Sequence, residues 1–188
     1  MEYEKQKIGD LNFIAHAPAG TKWISGEEVL SSWTNNVFAY PESNSLTDVG
    51  YRSAQLGAIY AIKSHWTISS SPATIVMPTG TGKTEVMIST VVSEHLAKTC
   101  IVVPSNLLRK QTLSRFCTLA KLREIGSIND TFENPIVGCL VSSPKDISEL
   151  RELVEKSNII ITTISLLNSN HFKDEFMLAV GAVCDTSK

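Results

Sequence analysis

The sequence has no two cysteines placed to act together. Cys100, Cys117, Cys139 and Cys184 are widely spaced and form no Cys-x-x-Cys pair. That excludes a zinc knuckle and a disulfide framework, and it fits a reducing compartment, the cytoplasm. His16, His65, His95 and His171 are scattered without metal-ligand spacing. No apolar run approaches the length of a membrane span, so no membrane partner is expected. Met1-Glu2-Tyr3-Glu4-Lys5 holds no apolar core of a signal peptide. There is no internal repeat and no low-complexity tract. Acidic residues are missing from one long stretch: residues 98–123 carry Lys98, Arg109, Lys110, Arg115, Lys121 and Arg123 and no carboxylate.

What is present is an ordinary amount of core. With 188 residues, 43% of them apolar, and a net charge of −2, the chain suffices for one domain and is no polycation. Residues 1–50 carry three basic and seven acidic groups, and residues 124–188 carry five and ten. The basic segment is therefore an island in a mildly acidic chain. It reads either as a face for a polyanion or as a solvated helix face.

The stretch from Ala73 to Glu85 organises the rest. It opens on the apolar run Thr74-Ile75-Val76-Met77, read as a strand, turns through Pro78-Thr79-Gly80-Thr81-Gly82, and enters a helix at Lys83-Thr84. Strand, glycine-rich loop and helix are the setting of a phosphate-binding loop. The glycines let backbone N–H groups converge without a Cβ in the way, and the helix start adds its own unpaired N–H groups. Lys83 is then the cation for the β/γ-phosphates of ATP and the Thr84 hydroxyl the ligand for Mg²⁺. Met77 stands where the general pattern has its first glycine.

Elsewhere the order is strand, helix, strand, helix. Residues 1–50 carry a capping box, Ser25 with Glu28, before a short helix with Val29, Leu30 and Trp33 inside. A polar loop follows over 41–48. Residues 51–66 read as a helix, and 83–97 as another with Met87, Ile88, Val91, Val92 and Leu96 buried. Thr99–Val103 reads as a strand buried on both faces. Ser105 then caps a helix through Leu107, Leu108, Gln111 and Phe116. Strands are expected over 136–141 and 158–162. Between them a helix is expected to start at Ser143-Pro144 and run to about Lys156. A short helix takes in Ile164, Leu166 and Leu167, another spans Lys173–Val180 and stops at Gly181, and 182–184 begin a last strand. Trp23, Trp33 and Trp66 are expected in the core. The alternation predicts an α/β fold with a parallel sheet and helices on both faces.

Several of these stretches, in this order, resemble the first RecA-like domain of superfamily 2 helicases and translocases. Residues 77–84 resemble motif I. Tyr51-Arg52-Ser53-Ala54-Gln55 is similar to the segment in which a Gln reads the adenine edge. Val102 to Gln111 is similar to motif Ia, and Ile159 to Leu167 to a later strand-Thr-Thr segment. The resemblance covers roughly residues 51–185, leaves 1–50 as an N-terminal accessory segment, and is nearest to restriction-enzyme translocation subunits and excision-repair helicase-like proteins. It implies an ATP site of Arg52, Gln55, Pro78, Thr79, Gly80, Thr81, Gly82, Lys83 and Thr84, with Mg²⁺ on Thr84. It also implies nucleic-acid backbone contacts, with DNA as the expected partner, at Ser105, Asn106, Arg109, Lys110, Thr162 and Thr163.

The chain departs from the family in having no Asp-Glu-x-His or Asp-Glu-x-Asp box. In the family that Asp holds Mg²⁺ and the Glu activates water. Gly181 to Thr186 resembles the lead into such a box, which makes the chain read as a truncated N-terminal part that lacks the second motor domain and works, if at all, with a partner subunit. The other reading makes Asp185 the metal aspartate. Two further functional classes stand beside these: a P-loop kinase or phosphotransferase, and a non-catalytic interaction module.

Overall fold

The computed structural model describes residues 3–17, 23–43, 49–168 and Phe176. It divides into two compact units. The first comprises residues 1–31, 97–118 and 133–188, and the second residues 32–96 and 119–132.

The first unit holds the sheet. Its strands are β1 (Glu4–Ile8), β2 (Asn12–His16), β3 (Thr99–Val103), β4 (Val137–Cys139) and β5 (Ile159–Thr163), in spatial order β1-β2-β4-β5-β3. β3, β4 and β5 are parallel, with Ile101 opposite Ile161 and Cys139 opposite Ile161. β1 and β2 form an antiparallel hairpin, and β2 runs antiparallel to β4. The α/β class stands, but the sheet is mixed where the sequence predicted it parallel. The hairpin is the difference: a connection as short as residues 9–11 can only reverse the chain.

Helices cover both faces of this sheet. One face carries Ile14 and Ile160, which join Leu150, Leu153 and Val154 of α6 (Ile147–Lys156) in a core with Ile8, Ile136, Leu140 and Phe176. Alternation puts Phe13, Cys139 and Ile161 on the other face. There α4 (Asn106–Thr118) packs on β4 and β5, with Cys117 and Cys139 both buried. Two buried asparagines tie loops to the strands. Asn12 donates to Glu149 Oε1 at 2.9 Å and accepts from the Val141 and Ser142 amides at 2.7 and 3.1 Å. Asn158 donates to the Gly26 carbonyl at 2.9 Å and accepts from the Ile136 amide at 3.1 Å.

β3 corrects a second expectation. Ile101 and Val103 are buried, but Cys100 and Val102 are exposed. The strand lies at the sheet edge, and α6 packs on β1, β2 and β4 at the far side. α6 itself begins at Ile147. Its cap is Asp146, whose carboxylate accepts from the Ser148 and Glu149 amides at 2.8 and 3.0 Å, and Ser143-Pro144 lies in the loop before it. A short helix, α7 (Ile164–Leu167), follows β5. The expected helix over 173–180, its stop at Gly181, the strand at 182–184 and Asp185 with Thr186 lie outside the described residues, apart from the helical Phe176.

The second unit is helical. It contains α2 (Ser53–Ile68), α3 (Lys83–Ser93) and α5 (Ala120–Glu124). α1 (Gly26–Thr34) begins in the first unit and ends in the second. Its capping box is as the sequence reads: Ser25 Oγ accepts from the Glu28 amide at 3.1 Å, and Glu28 Oε2 accepts from the Ser25 amide at 2.7 Å. Leu56 and Ile59 bury the inner side of α2, whereas Tyr60 and Trp66 are exposed. α3 ends four residues short of Ala97, and Met87 faces out. The predicted strand at 74–77 does not form. Residues 73–77 run between Pro72 and Pro78, neither of which has an N–H to donate, and pair with no strand among the described residues. Val76 is 88% exposed. β-propensity describes a residue that fits a half-buried pleat, and this run has no pleat to join.

Candidate functional site

The loop Pro78-Thr79-Gly80-Thr81-Gly82-Lys83-Thr84 lies wholly in the second unit. Thr81 closes it as a turn, its hydroxyl donating to the Pro78 carbonyl at 2.7 Å. Gly80 (φ +81°) and Gly82 (φ +88°) are both left-handed, the region where a Cβ is strained. Gly82 is also the N-cap of α3, and the Val86 amide donates to its carbonyl at 3.1 Å. Left-handed residues in a turn at a helix start are the backbone pattern from which anion-binding nests are built. The Lys83 ammonium folds back over this loop and donates to the carbonyls of Met77 at 2.5 Å and Pro78 at 2.7 Å. Both acceptors are neutral carbonyls of the loop itself. Thr84, the next residue, is half-buried in the first turn of α3.

α2 brings Arg52 and Gln55 to the same loop. The Gln55 Oε1 accepts from the Arg52 amide at 2.9 Å, which caps α2. Gln55 is buried, and its Nε2 lies so near Gly82 that an added Cβ there would stand 2.1 Å away. Arg52 Nη1 donates to the Gly80 carbonyl at 3.3 Å. The sequence pattern that separates Arg52 and Gln55 from the loop by a whole helix is therefore closed in space. Gly82 has a second reason to be glycine: it leaves room for an amide side chain.

One feature of this unit carried no signal in the sequence. Tyr51, fully buried, shares its hydroxyl with Ser89 of α3 at 2.7 Å and with Ser127 after α5 at 2.9 Å. Ser89 in turn donates to the Glu85 carbonyl at 2.6 Å. Burial pushes the Tyr51 phenol above its ordinary value, and the two serine hydrogen bonds oppose that shift.

The proposed nucleic-acid residues all lie in the first unit, at the C-terminal ends of β3 and β5. Ser105 caps α4, its Oγ accepting from the Leu108 amide at 3.3 Å. Ser105, Asn106 and Lys110 are exposed. Arg109 is not: it is 5% exposed, and its Nη1 donates to the Leu140 carbonyl at 3.2 Å. Thr162 and Thr163 are buried as well, with Thr163 Oγ1 and Ser165 Oγ 3.3 Å apart. Leu107 and Leu108 face outward, and Thr112, Leu113 and Phe116 form the buried side of α4. The basic island is divided too. Lys98 donates to the carbonyls of Val154, Glu155 and Ser157 at 2.8, 2.8 and 2.6 Å, which caps the C-terminus of α6. Lys121 and Arg123 belong to the second unit, where they pair with Glu124 and with the Phe132 carbonyl.

Residues 48–181 match the family described as the type III restriction enzyme res subunit. The chain belongs to this family. As a res-subunit family domain it is a RecA-like, superfamily 2 helicase-like domain, consistent with its α/β fold and with the order of its motifs. The matched region begins just before Tyr51 and takes in the phosphate-loop residues, α4 and β5. No curated protein and no solved structure matches the chain. Among the described residues of this res-subunit family domain, no helix is long and apolar enough to cross a membrane.

Proposed function

We propose that this domain binds Mg²⁺-ATP at the loop 78–84 and the phosphate backbone of nucleic acid, DNA by preference, at the start of α4. The observation that carries the nucleotide reading is the convergence of Arg52, Gln55 and Lys83 on the loop of Gly80 and Gly82 at the head of α3. In this reading Lys83 leaves the Met77 and Pro78 carbonyls for the β/γ-phosphates. The amides of the turn and of the first turn of α3 hold the same phosphates, and Arg52 and Gln55 face the base. The donor set suits a hard cation, since the Thr84 hydroxyl is an oxygen ligand next to the phosphates, and Mg²⁺ supplies charge neutralisation there. We assign residues 51–188 to the ATP-binding domain and 1–50 to an accessory segment, with the start of the family match at residue 48 in support. Free Cys100, Cys117 and Cys139 fit work in a reducing cytoplasm.

On the nucleic-acid side, Ser105, Asn106 and Lys110 present an exposed helix start to a phosphate, the usual way a helix fixes register on a backbone. Arg109, Thr162 and Thr163 support that surface from beneath.

Calorimetry tests the nucleotide reading. The wild-type chain takes up Mg²⁺-ATP, and Lys83→Ala loses most of that binding while its melting temperature is unchanged. Equal affinity in the two proteins overturns the phosphate-loop assignment.

A further inference from the structure

Tyr51 is built into the second unit more tightly than a core residue needs to be. Its amide donates to the Pro41 carbonyl and its carbonyl accepts from the Ser43 amide, both at 2.8 Å. Its hydroxyl, fully buried, joins Ser89 at 2.7 Å and Ser127 at 2.9 Å. Every hydrogen-bonding group of the residue is therefore occupied. The residue directly after it is Arg52, the cap of α2, and the Gln55 side chain is fixed by the Arg52 amide. Ser89 stands in α3, the helix whose start is the phosphate loop, and its second bond goes to the Glu85 carbonyl in the first turn. The Tyr51 hydroxyl thus joins the start of α2 to the middle of α3, and through Ser89 to the Glu85 carbonyl in the first turn of α3, while a bond from Ser127 holds the hydroxyl in place.

We infer that Tyr51 is a positioning residue that sets the spacing between Arg52 and Gln55 and the phosphate loop, and so decides how well the site reads the base of a nucleotide in addition to its phosphates. This rests on the nucleotide reading above. The physical argument is one of rigidity. Gln55 reaches Gly82 because α2 and α3 are packed at one separation, and the Tyr51–Ser89 bond is one of the contacts that hold them there. An amide that discriminates bases must be fixed to a fraction of an ångström. The phosphate cradle itself is local backbone, from Pro78 to Thr84, and does not depend on α2. Loss of the Tyr51 hydroxyl should therefore weaken the contribution of the base and leave that of the phosphates.

The test measures three ligands, ATP, GTP and inorganic tripolyphosphate, each with Mg²⁺, against wild type, Tyr51→Phe and Ser127→Ala. Tyr51→Phe keeps the ring and removes two hydrogen bonds. It is expected to lose about fivefold or more in ATP affinity, to lose preference for ATP over GTP, and to bind tripolyphosphate within twofold of wild type. Ser127→Ala takes one of the two bonds and should move in the same direction by less. It decides the question if Tyr51→Phe does not fold. An equal loss for ATP and tripolyphosphate, or no loss for either, overturns the positioning role while leaving the nucleotide site standing. A wild-type chain that binds none of the three overturns the nucleotide reading and this inference with it.

Discussion

At the scale of single residues, neighbours in sequence do unlike work. Arg109 and Lys110 are adjacent cations on α4, and charge alone makes them equivalent. Helical geometry turns Arg109 inward to the Leu140 carbonyl and Lys110 outward to solvent. A buried guanidinium contributes through its stem packing as much as its charge. Arg109→Ala is expected to destabilise the fold by about 2 kcal/mol, read as a lower urea midpoint. Lys110→Ala leaves the midpoint unchanged, weakens nucleic-acid binding and reduces its salt dependence, because one phosphate contact no longer releases its counterion. The reverse assignment of effects would overturn the view that Lys110 presents the exposed charge of this helix.

At the scale of elements, α6 shows how a helix is fastened at both ends. Asp146 caps its start, and Lys98, from a different part of the chain, donates to three carbonyls at its end. Both charges oppose the helix dipole. The Asp146 carboxyl is held below its ordinary value, first by the Ser148 hydroxyl and then by the Glu149 amide. A carboxyl whose folded value is depressed adds stability above its unfolded value, about 4. That stability is lost as pH falls through the depressed folded value. The cap is therefore expected to act in full at neutral pH and to fade below about pH 4. Urea midpoints at pH 7 and pH 3 should differ more in wild type than in Asp146→Ala, and a wild-type difference no larger than the variant's would remove the cap from the account of acid stability.

At the scale of the whole molecule, binding and turnover separate. Lys83 and Thr84 suit the phosphates and the metal, but phosphoryl transfer depends on positioning and charge stabilisation by further groups. The 188 residues carry no Asp-Glu-x-His or Asp-Glu-x-Asp string. This chain is expected to hydrolyse ATP near background, with no rescue by DNA, in a phosphate-release assay. DNA-stimulated hydrolysis that disappears in both Lys83→Ala and Asp185→Asn would overturn this and make Asp185 the metal carboxylate.

What the sequence determined by itself is whatever a few neighbouring residues settle. The loop 78–84, the Ser25–Glu28 capping box, the Ser105 cap and the strands read at 99–103, 136–141 and 158–162 are all local patterns; the caps and the first strand formed where they were read, the second formed only over 137–139 and the third one residue later, over 159–163. Tertiary structure decided what each pattern faces. It alone paired β2 with β4, left β3 at an edge with Cys100 and Val102 exposed, and gave the apolar run at 74–77 no partner strand among the described residues. It turned Arg109, Thr162 and Thr163 inward and bound Lys98 to α6. It also brought the Tyr51 hydroxyl to Ser127, 76 residues away. The physical reason is range. Propensity, capping and turn chemistry act within a helical turn or so, whereas burial and sheet pairing depend on residues tens of positions apart, whose approach no local pattern encodes.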